Sequence, residues 1–300
     1  MAKKKGTADR FRLYRLENAA NPAFPFRVGK TLVEREFAEH AHEFSELVVI
    51  LGGTATHLVE GERHFLTAGD VYVFQGSMRH GFYDCHELRM CNVGFLPGLL
   101  DPIAPTLKKL PGYQALFVLG PPAREGQAPR CRLRLSLADL KELETIIDPM
   151  CEEYGARSQA YEAVLTGMFF HLVAWLSRRY AARVGTAGDG VHRLALAVSH
   201  LERNFLEALR LEDLSARCGL SARQFLRVFK EHYGATPIDY VLRLRVHHAA
   251  RLLQTTRAAV IDIAGASGFS DGNYFARQFR RVMGASPREY REANEKSRVG

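Results

Sequence analysis

Between Leu211 and Arg291 the chain carries one pattern twice. The first copy, LEDLSARCGLSARQFLRVFKEHYGATPIDYV, is answered by VIDIAGASGFSDGNYFARQFRRVMGASPREYR. Cys218-Gly219-Leu220-Ser221 matches Ser267-Gly268-Phe269-Ser270, Phe225 and Phe229 match Phe275 and Phe279, and Gly234-Ala235-Thr236-Pro237 matches Gly284-Ala285-Ser286-Pro287. Repetition of core, corner and cap together marks two copies of one supersecondary unit. That unit reads as a helix-turn-helix: an apolar first helix (Leu211, Leu214, Cys218), a small residue at a tight corner, and a second helix with two opposed faces. Gly219 and Gly268 fit the corner because glycine tolerates a left-handed backbone. Ser221 and Ser270 are expected to cap the helices that follow.

At about 100° per residue, Arg223, Leu226, Arg227 and Lys230 fall on one side of the second helix, and Phe225, Val228 and Phe229 on the other. The second copy places Asn273, Ala276, Arg277 and Arg280 on its polar side, opposite Phe275 and Phe279. Arginine grips guanine and asparagine grips adenine through paired hydrogen bonds in the major groove. Charge falls in the same place. Residues 191–300 hold 18 Lys and Arg against 11 Asp and Glu, which is +7 of the chain's +8. A basic surface confined to one region attracts phosphate, whereas evenly spread charge mostly aids solubility. Between the copies, Ile238 to Gln254 lacks glycine and proline and carries leucines at helical spacing, so a stiff helix is expected to hold both units. Units entering successive major grooves must stand roughly 34 Å apart.

Residues 192–292 resemble the DNA-binding domain of the AraC/XylS family of transcription regulators, most clearly through GFSDGNYFARQFRRVMGASPREYR. The resemblance implies base contacts from Arg223, Leu226 and Arg227 in the first unit and from Asp271, Asn273 and Arg277 in the second, on double-stranded promoter DNA. It also implies contact with RNA polymerase. Lys230 and Arg280 share the basic faces and complete the expected DNA-contacting set.

Residues 28–95 show short apolar runs, LVVIL (47–51) and VYVF (71–74), broken by Gly52-Gly53, Glu60-Gly61 and Gly69-Asp70. Strands at such spacing point to an all-β barrel or sandwich, with a hairpin tip at Glu60-Gly61-Glu62 leading to a strand from near His64. His40, His42, Glu46 and His80 carry the chemical interest, since alternate strand residues such as His40 and His42 share a face. Three readings stay open: polar lining of a small-molecule pocket, ligation of a divalent ion, or structural histidines. Arg35, Arg63 and Tyr72 are further candidates for the lining. The spacing His-x-His-x-x-x-Glu, followed by a Gly-Asp strand and a later histidine, is similar to the cupin fold. HAHEFSELVVILGG and GDVYVF resemble the sensor domains of sugar-responsive AraC-family members of the rhamnose-operon activator type. That resemblance implies a small effector, a sugar, bound near His40, His42, Glu46 and His80. The competing reading is a metal-dependent cupin.

Ser136 to Tyr154 and Ser158 to Tyr180 are expected to be helices. The first carries Leu137, Leu140, Leu143, Ile147, Met150 and Tyr154 on a stripe, the second Tyr161, Leu165, Phe169, Leu172 and Leu176. Such stripes are core or, as the family resemblance implies, a homodimer interface. Residues 96–135 read as connecting loop with a strand near Ala115–Leu119, and Arg183 to Gly190 as a linker. The expected class is therefore α+β and multidomain: a cupin-like barrel over 1–135, a helical pairing segment over 136–182, a linker over 183–190, and an all-α double helix-turn-helix domain over 191–300. No apolar run approaches the 18 or so residues needed to span a membrane. Met1 to Arg10 is basic without an apolar stretch behind it, unlike a secretory signal. Five cysteines without Cys-x-x-Cys spacing fit reduced thiols in a cytoplasm. No phosphate-binding glycine loop or catalytic nucleophile frame is present, so no enzyme or cofactor is expected, and ion binding by the histidine cluster stays among the open readings.

Overall fold

Ser45–Val59 forms one strand of 15 residues, β4, and His80–Phe95 another of 16, β7. The expected break at Gly52-Gly53 is instead a bulge, with register shifts from Ile50 to Thr56 as β4 pairs β7. Gly53 sits at φ +74, where a Cβ would stand 2.2 Å from the Glu87 carbonyl oxygen, so only glycine fits. A bulge adds an unpaired residue and bends the strand rather than ending it. The computed structural model describes residues 12–16, 23–75, 78–119, 132–183 and 190–296. Gly120-Pro121-Pro122, Cys131, the Gly76-Ser77 step and most of the expected linker lie outside them.

The bend divides the sheet into two halves. Beyond it, Thr54–Val59 of β4 pairs β5 (Glu62–Thr67) and the first part of β7, whose other edge takes β3 (Phe37–His42), with β1 (Arg12–Tyr14) parallel to β3. Before it, Ser45–Ile50 pairs the end of β7, flanked by β2 (Phe26–Val33). That half continues through β6 (Asp70–Phe74) to β8 (Leu133–Arg134). Val48, Ile50, Tyr72, Leu88 and Met90 from one half and Ala55, Val59, Leu66 and Phe82 from the other form one buried cluster, the barrel core. Glu60 and Gly61 both have positive φ, as the tight hairpin turn between β4 and β5 requires, and β5 begins at Glu62 rather than near His64.

Residues 96–119 are mostly helical turns: a 3-10 turn at Pro97–Leu100, α1 (Ala104–Leu107), α2 (Pro111–Tyr113) and a wide turn at Gln114–Val118. The strand expected near Ala115–Leu119 is absent. A short apolar run does not by itself distinguish strand from buried helix. Here Gly112 touches the neighbouring helix so closely that a Cβ would lie 1.9 Å from the Ser177 carbonyl oxygen. α3 (Leu137–Ala156) starts at Ser136, which caps it in a capping box with Asp139. α4 spans Tyr161–Arg183. Leu140, Leu143, Ile147 and Met150, with the α4 stripe, are buried in the core of the same chain, and Phe169 packs on Phe26 and Phe95 of the sheet. Leu137 departs from the expected stripe and is 73% exposed.

The chain divides into two compact units, Met1–Ala187 and Gly188–Gly300. The second is helical: α5 (Gly190–Asn204), α6 (Leu211–Arg217), α7 (Ala222–Tyr233), α8 (Pro237–Thr255), α9 (Val260–Ala266), α10 (Gly272–Met283) and α11 (Pro287–Lys296). α6–α7 and α9–α10 are the two helix-turn-helix pairs, joined by α8. Leu242, Val246, Ala249, Ala250 and Leu253 of α8 pack against Ile263, Phe269, Phe275 and Phe279 of the second pair. Among the described residues, no helix is long and apolar enough to cross a membrane.

Candidate functional site

Strand register brings the sequence-predicted histidines together. His40 on β3 lies opposite His80 on β7, which in turn faces Val59 of β4, while Glu46 near the start of β4 pairs Phe74 and Gly94. All four side chains are buried. His42 Nε2 is 2.9 Å from His80 Nε2 and 3.3 Å from Glu46 Oε2, and His80 Nε2 is 3.7 Å from that same oxygen. His40 Nδ1 donates to the Ala38 carbonyl at 2.8 Å, which leaves its Nε2 with a lone pair. Asn92 Nδ2 donates to Glu46 Oε1 at 3.1 Å and steadies the carboxylate.

A fourth histidine was not picked out by the sequence reading. His57 of β4 is fully buried, stacks on Phe82 at 4.7 Å and sets its Nε2 3.5 Å from His80 Nδ1. Burial pushes its pKa down to about 3. Burial also holds His80 well below, and His40 below, the ordinary histidine value. These three rings are neutral near pH 7, each with a nitrogen lone pair. The available signal was alternation along β4, which turns Ala55, His57 and Val59 to one face.

A cavity of about 450 Å³ opens onto this cluster. Its wall includes His40, His42, Glu46, Asn92 and Thr31 as polar groups and Phe37, Phe44, Phe82 and Met90 as apolar ones. Tyr14, from the short β1, lines it with its ring 5.2 Å from that of His40, another contributor the sequence reading missed. His80 and His57 lie behind that wall. Arg35, Arg63 and Tyr72 are not among the lining residues; Tyr72 belongs to the barrel core. A partly open cavity with a few converging polar groups and aromatic walls suits a small, hydroxyl-bearing molecule.

In the second unit, residues 221–230 and 271–280 have the same order of buried, half-buried and exposed positions. Phe225, Phe229, Phe275 and Phe279 are buried, while Arg223, Arg227, Lys230, Asn273, Arg277 and Arg280 are exposed, with Leu226 and Ala276 half-buried among them. Gly219 (φ +61) and Gly268 (φ +80) turn the two corners, as expected. Ser221 caps α7 in a box with Gln224. The cap of α10 differs from expectation: it is Asp271, whose carboxylate accepts from Tyr274 N at 2.6 Å. The second copy has one extra residue between the corner and α10, which moves the cap from Ser270 to Asp271 and sets Asn273 level with Arg223. Asp271 is exposed and also serves the backbone, and Arg227 pairs with Glu231 at 3.1 Å.

Arg245 of α8 joins the loop before the first pair to the corner of the second. Its guanidinium donates to the carbonyls of Phe205 and Glu207, which precede the first pair, and to Gly268 at the second corner, all at 2.7 Å.

Comparison with known proteins agrees with both halves. Residues 28–157 match the AraC-like ligand binding domain and residues 214–293 a helix-turn-helix domain model. The transcriptional activator RhaR of Yersinia pestis bv. Antiqua is 27% identical over 89% of this chain and 89% of its own length. RhaS of Escherichia coli O6:H1 is 29% identical over 88% of this chain and 91% of its own. A solved AraC-type transcriptional regulator from Chromobacterium violaceum is 38% identical over 34% of this chain and 91% of that structure, with a TM-score of 0.32. With a ligand-binding barrel in one unit and two helix-turn-helix pairs in the other, the chain belongs to the AraC family of DNA-binding transcription regulators.

Proposed function

We propose that the chain activates transcription from a promoter whose two half-sites lie in successive major grooves, under control of a small hydroxyl-rich effector, a sugar, held in the barrel. The observation that carries the DNA half is the pair of exposed recognition faces with matched burial, 50 residues apart. Arg223, Leu226, Arg227 and Lys230 would meet one groove, and Asp271, Asn273, Arg277 and Arg280 the next. The effector half rests on the cavity bordered by His40, His42 and Glu46, whose ring nitrogens and carboxylate match a sugar's hydroxyls as donors and acceptors. RhaR and RhaS are named as transcriptional activators, which supports activation; contact with RNA polymerase in a cytoplasm is part of the same proposal. Effector binding shifts the active population only by its difference in affinity for the two states. Pairing of two chains through the helical segment fits the exposed Leu137 and Val164, since Leu140, Leu143, Ile147 and Met150 are occupied in the core.

Footprinting on a site selected from random DNA tests the first half. Protection of two grooves roughly 34 Å apart is expected, and protection of one groove refutes it. Calorimetry with a panel of sugars and sugar acids tests the second, and a panel giving no heat removes the sugar. His42→Gln should change induction while operator affinity holds.

A further inference from the structure

Among the described residues of the cavity wall, Arg15, Arg27 and Glu46 carry a fixed charge. Arg15 pairs with Glu43 at 3.1 Å, and Glu46 is engaged by His42 and Asn92. The Arg27 guanidinium has no ion pair or hydrogen-bond acceptor among the described residues. Register explains why it does not pair with Glu46. Arg27 lies opposite Gly94 and Gly94 opposite Glu46, so cation and carboxylate rise from the sheet two strand spacings apart, about 10 Å. Leu16 and Phe44 fill the gap: a Cβ on Gly94 would stand 3.0 and 3.1 Å from them. Further along β2 the wall is open. Alternation puts Arg27, Gly29 and Thr31 on one face, all three border the cavity, and a Cβ on Gly29 would meet nothing within 4 Å. Gly29 also pairs with Asn92, whose amide holds Glu46. Bare backbone thus floors an empty space between a guanidinium without a partner, a hydroxyl and the polar cluster.

We propose that the effector is an anion of the sugar-acid class, a polyhydroxy carboxylate whose carboxylate is gripped by Arg27 above Gly29 while its hydroxyls meet His40, His42 and Glu46. The inference rests on the cavity being the effector site, and adds the charge and the orientation of its occupant. Two oxygens of a carboxylate match the paired N–H groups of a guanidinium, and such charge-assisted pairs are the strong ones. Glu46 repels a carboxylate at the histidine end, so the two ends of the cavity accept the molecule in one direction only. One guanidinium without a partner balances one negative charge; a phosphate dianion would bring a second without a partner. A neutral sugar would leave Arg27 unused.

Calorimetry on the full-length protein compares glucose and galactose with gluconate, glucuronate and galacturonate, and with glucose 6-phosphate. At least one acid should bind about 10-fold or more tightly than its neutral counterpart. Arg27→Gln should weaken that acid by about 10–100-fold, and Arg27→Lys should recover only part, because an ammonium lacks the planar fork. Gly29→Val fills the open space from a backbone without positive φ, so it should block the acid while thermal melting holds. Neutral sugars that bind as tightly as their acids overturn the anion and leave the sugar reading standing, whereas a panel without binding removes both. Glucose 6-phosphate as the tightest ligand overturns the carboxylate. Acid affinity unchanged in Arg27→Gln or in Gly29→Val puts the anion elsewhere and overturns the proposal too.

Discussion

Arg245→Ala removes one guanidinium and three hydrogen bonds at once, and its cost can be worked from the geometry. Each bond has a charged donor and a length of 2.7 Å. Hydrogen bonds to charged groups contribute about 1.5–3 kcal/mol each, but those sharing one side chain are not additive, and the Glu207 contact is solvent-exposed. A loss of about 2–4 kcal/mol for the helical unit follows. The carbonyls lie in the loop before α6 and at the α9–α10 corner, so the variant also loosens that loop against the second corner. Arg245→Lys separates charge from shape, because an ammonium on a single stem cannot span three carbonyls, so it should recover less than half the loss. Trp175 is the only tryptophan and lies in the first unit, so its fluorescence follows the barrel unit, whereas far-ultraviolet circular dichroism follows helix in both units, most of it in the second. Urea should melt the helical signal earlier in Arg245→Ala and leave the tryptophan transition unmoved. A helical transition within about 0.5 kcal/mol of the parent, or full rescue by lysine, would refute the role.

Other outcomes follow from single features. Arg277→Ala and Arg227→Ala should each cost about 1–3 kcal/mol of operator binding and relax preference at one base, read by selection from randomised DNA. Asp271→Ala should destabilise α10 by about 0.5–2 kcal/mol while Ser270→Ala stays near neutral, and a reversed order in thermal melting would put the cap back on the serine. Gly53→Ala should destabilise the barrel by about 2 kcal/mol or more, from positive φ and the contact with Glu87, seen as an earlier tryptophan transition. Cys218, whose thiol burial pushes up to about 12, should resist a thiol reagent until the helical unit opens; fast native-state reaction would contradict its burial.

Much of the helical half could be read from the order of residues, because helix periodicity, corner glycines and caps are local. The phenylalanine pairs, the basic faces and both corners fall where the repeat puts them. The single miss there, the cap of α10, comes from an inserted residue that the corner alignment hides and the phenylalanine alignment reveals. The barrel was legible as strands but not as a path. Gly52-Gly53 has the composition of a turn, yet β7 supplies a partner on both sides and converts it to a bulge. Ala115–Leu119 carries a strand-like run, yet it continues as a helical turn from α2, whose Gly112 packs on Ser177 of α4.

The site shows the same division. Spacing alone put His40 and His42 on one face and singled out Glu46 and His80, since those relations depend on pleat alternation and motif order. His57, Tyr14 and Asn92 reach the cluster only through long-range pairing: His57 with Phe82, β1 beside β3, and Val48 with Asn92. Likewise, no local rule brings Arg245 to the carbonyls of Phe205, Glu207 and Gly268. The amino-acid order determined the elements, their faces and the chemistry each face carries, because those follow from neighbours a few positions apart. Which faces meet, and therefore where a lone pair or a guanidinium finds its partner, was decided by packing and strand register between residues far apart in the chain.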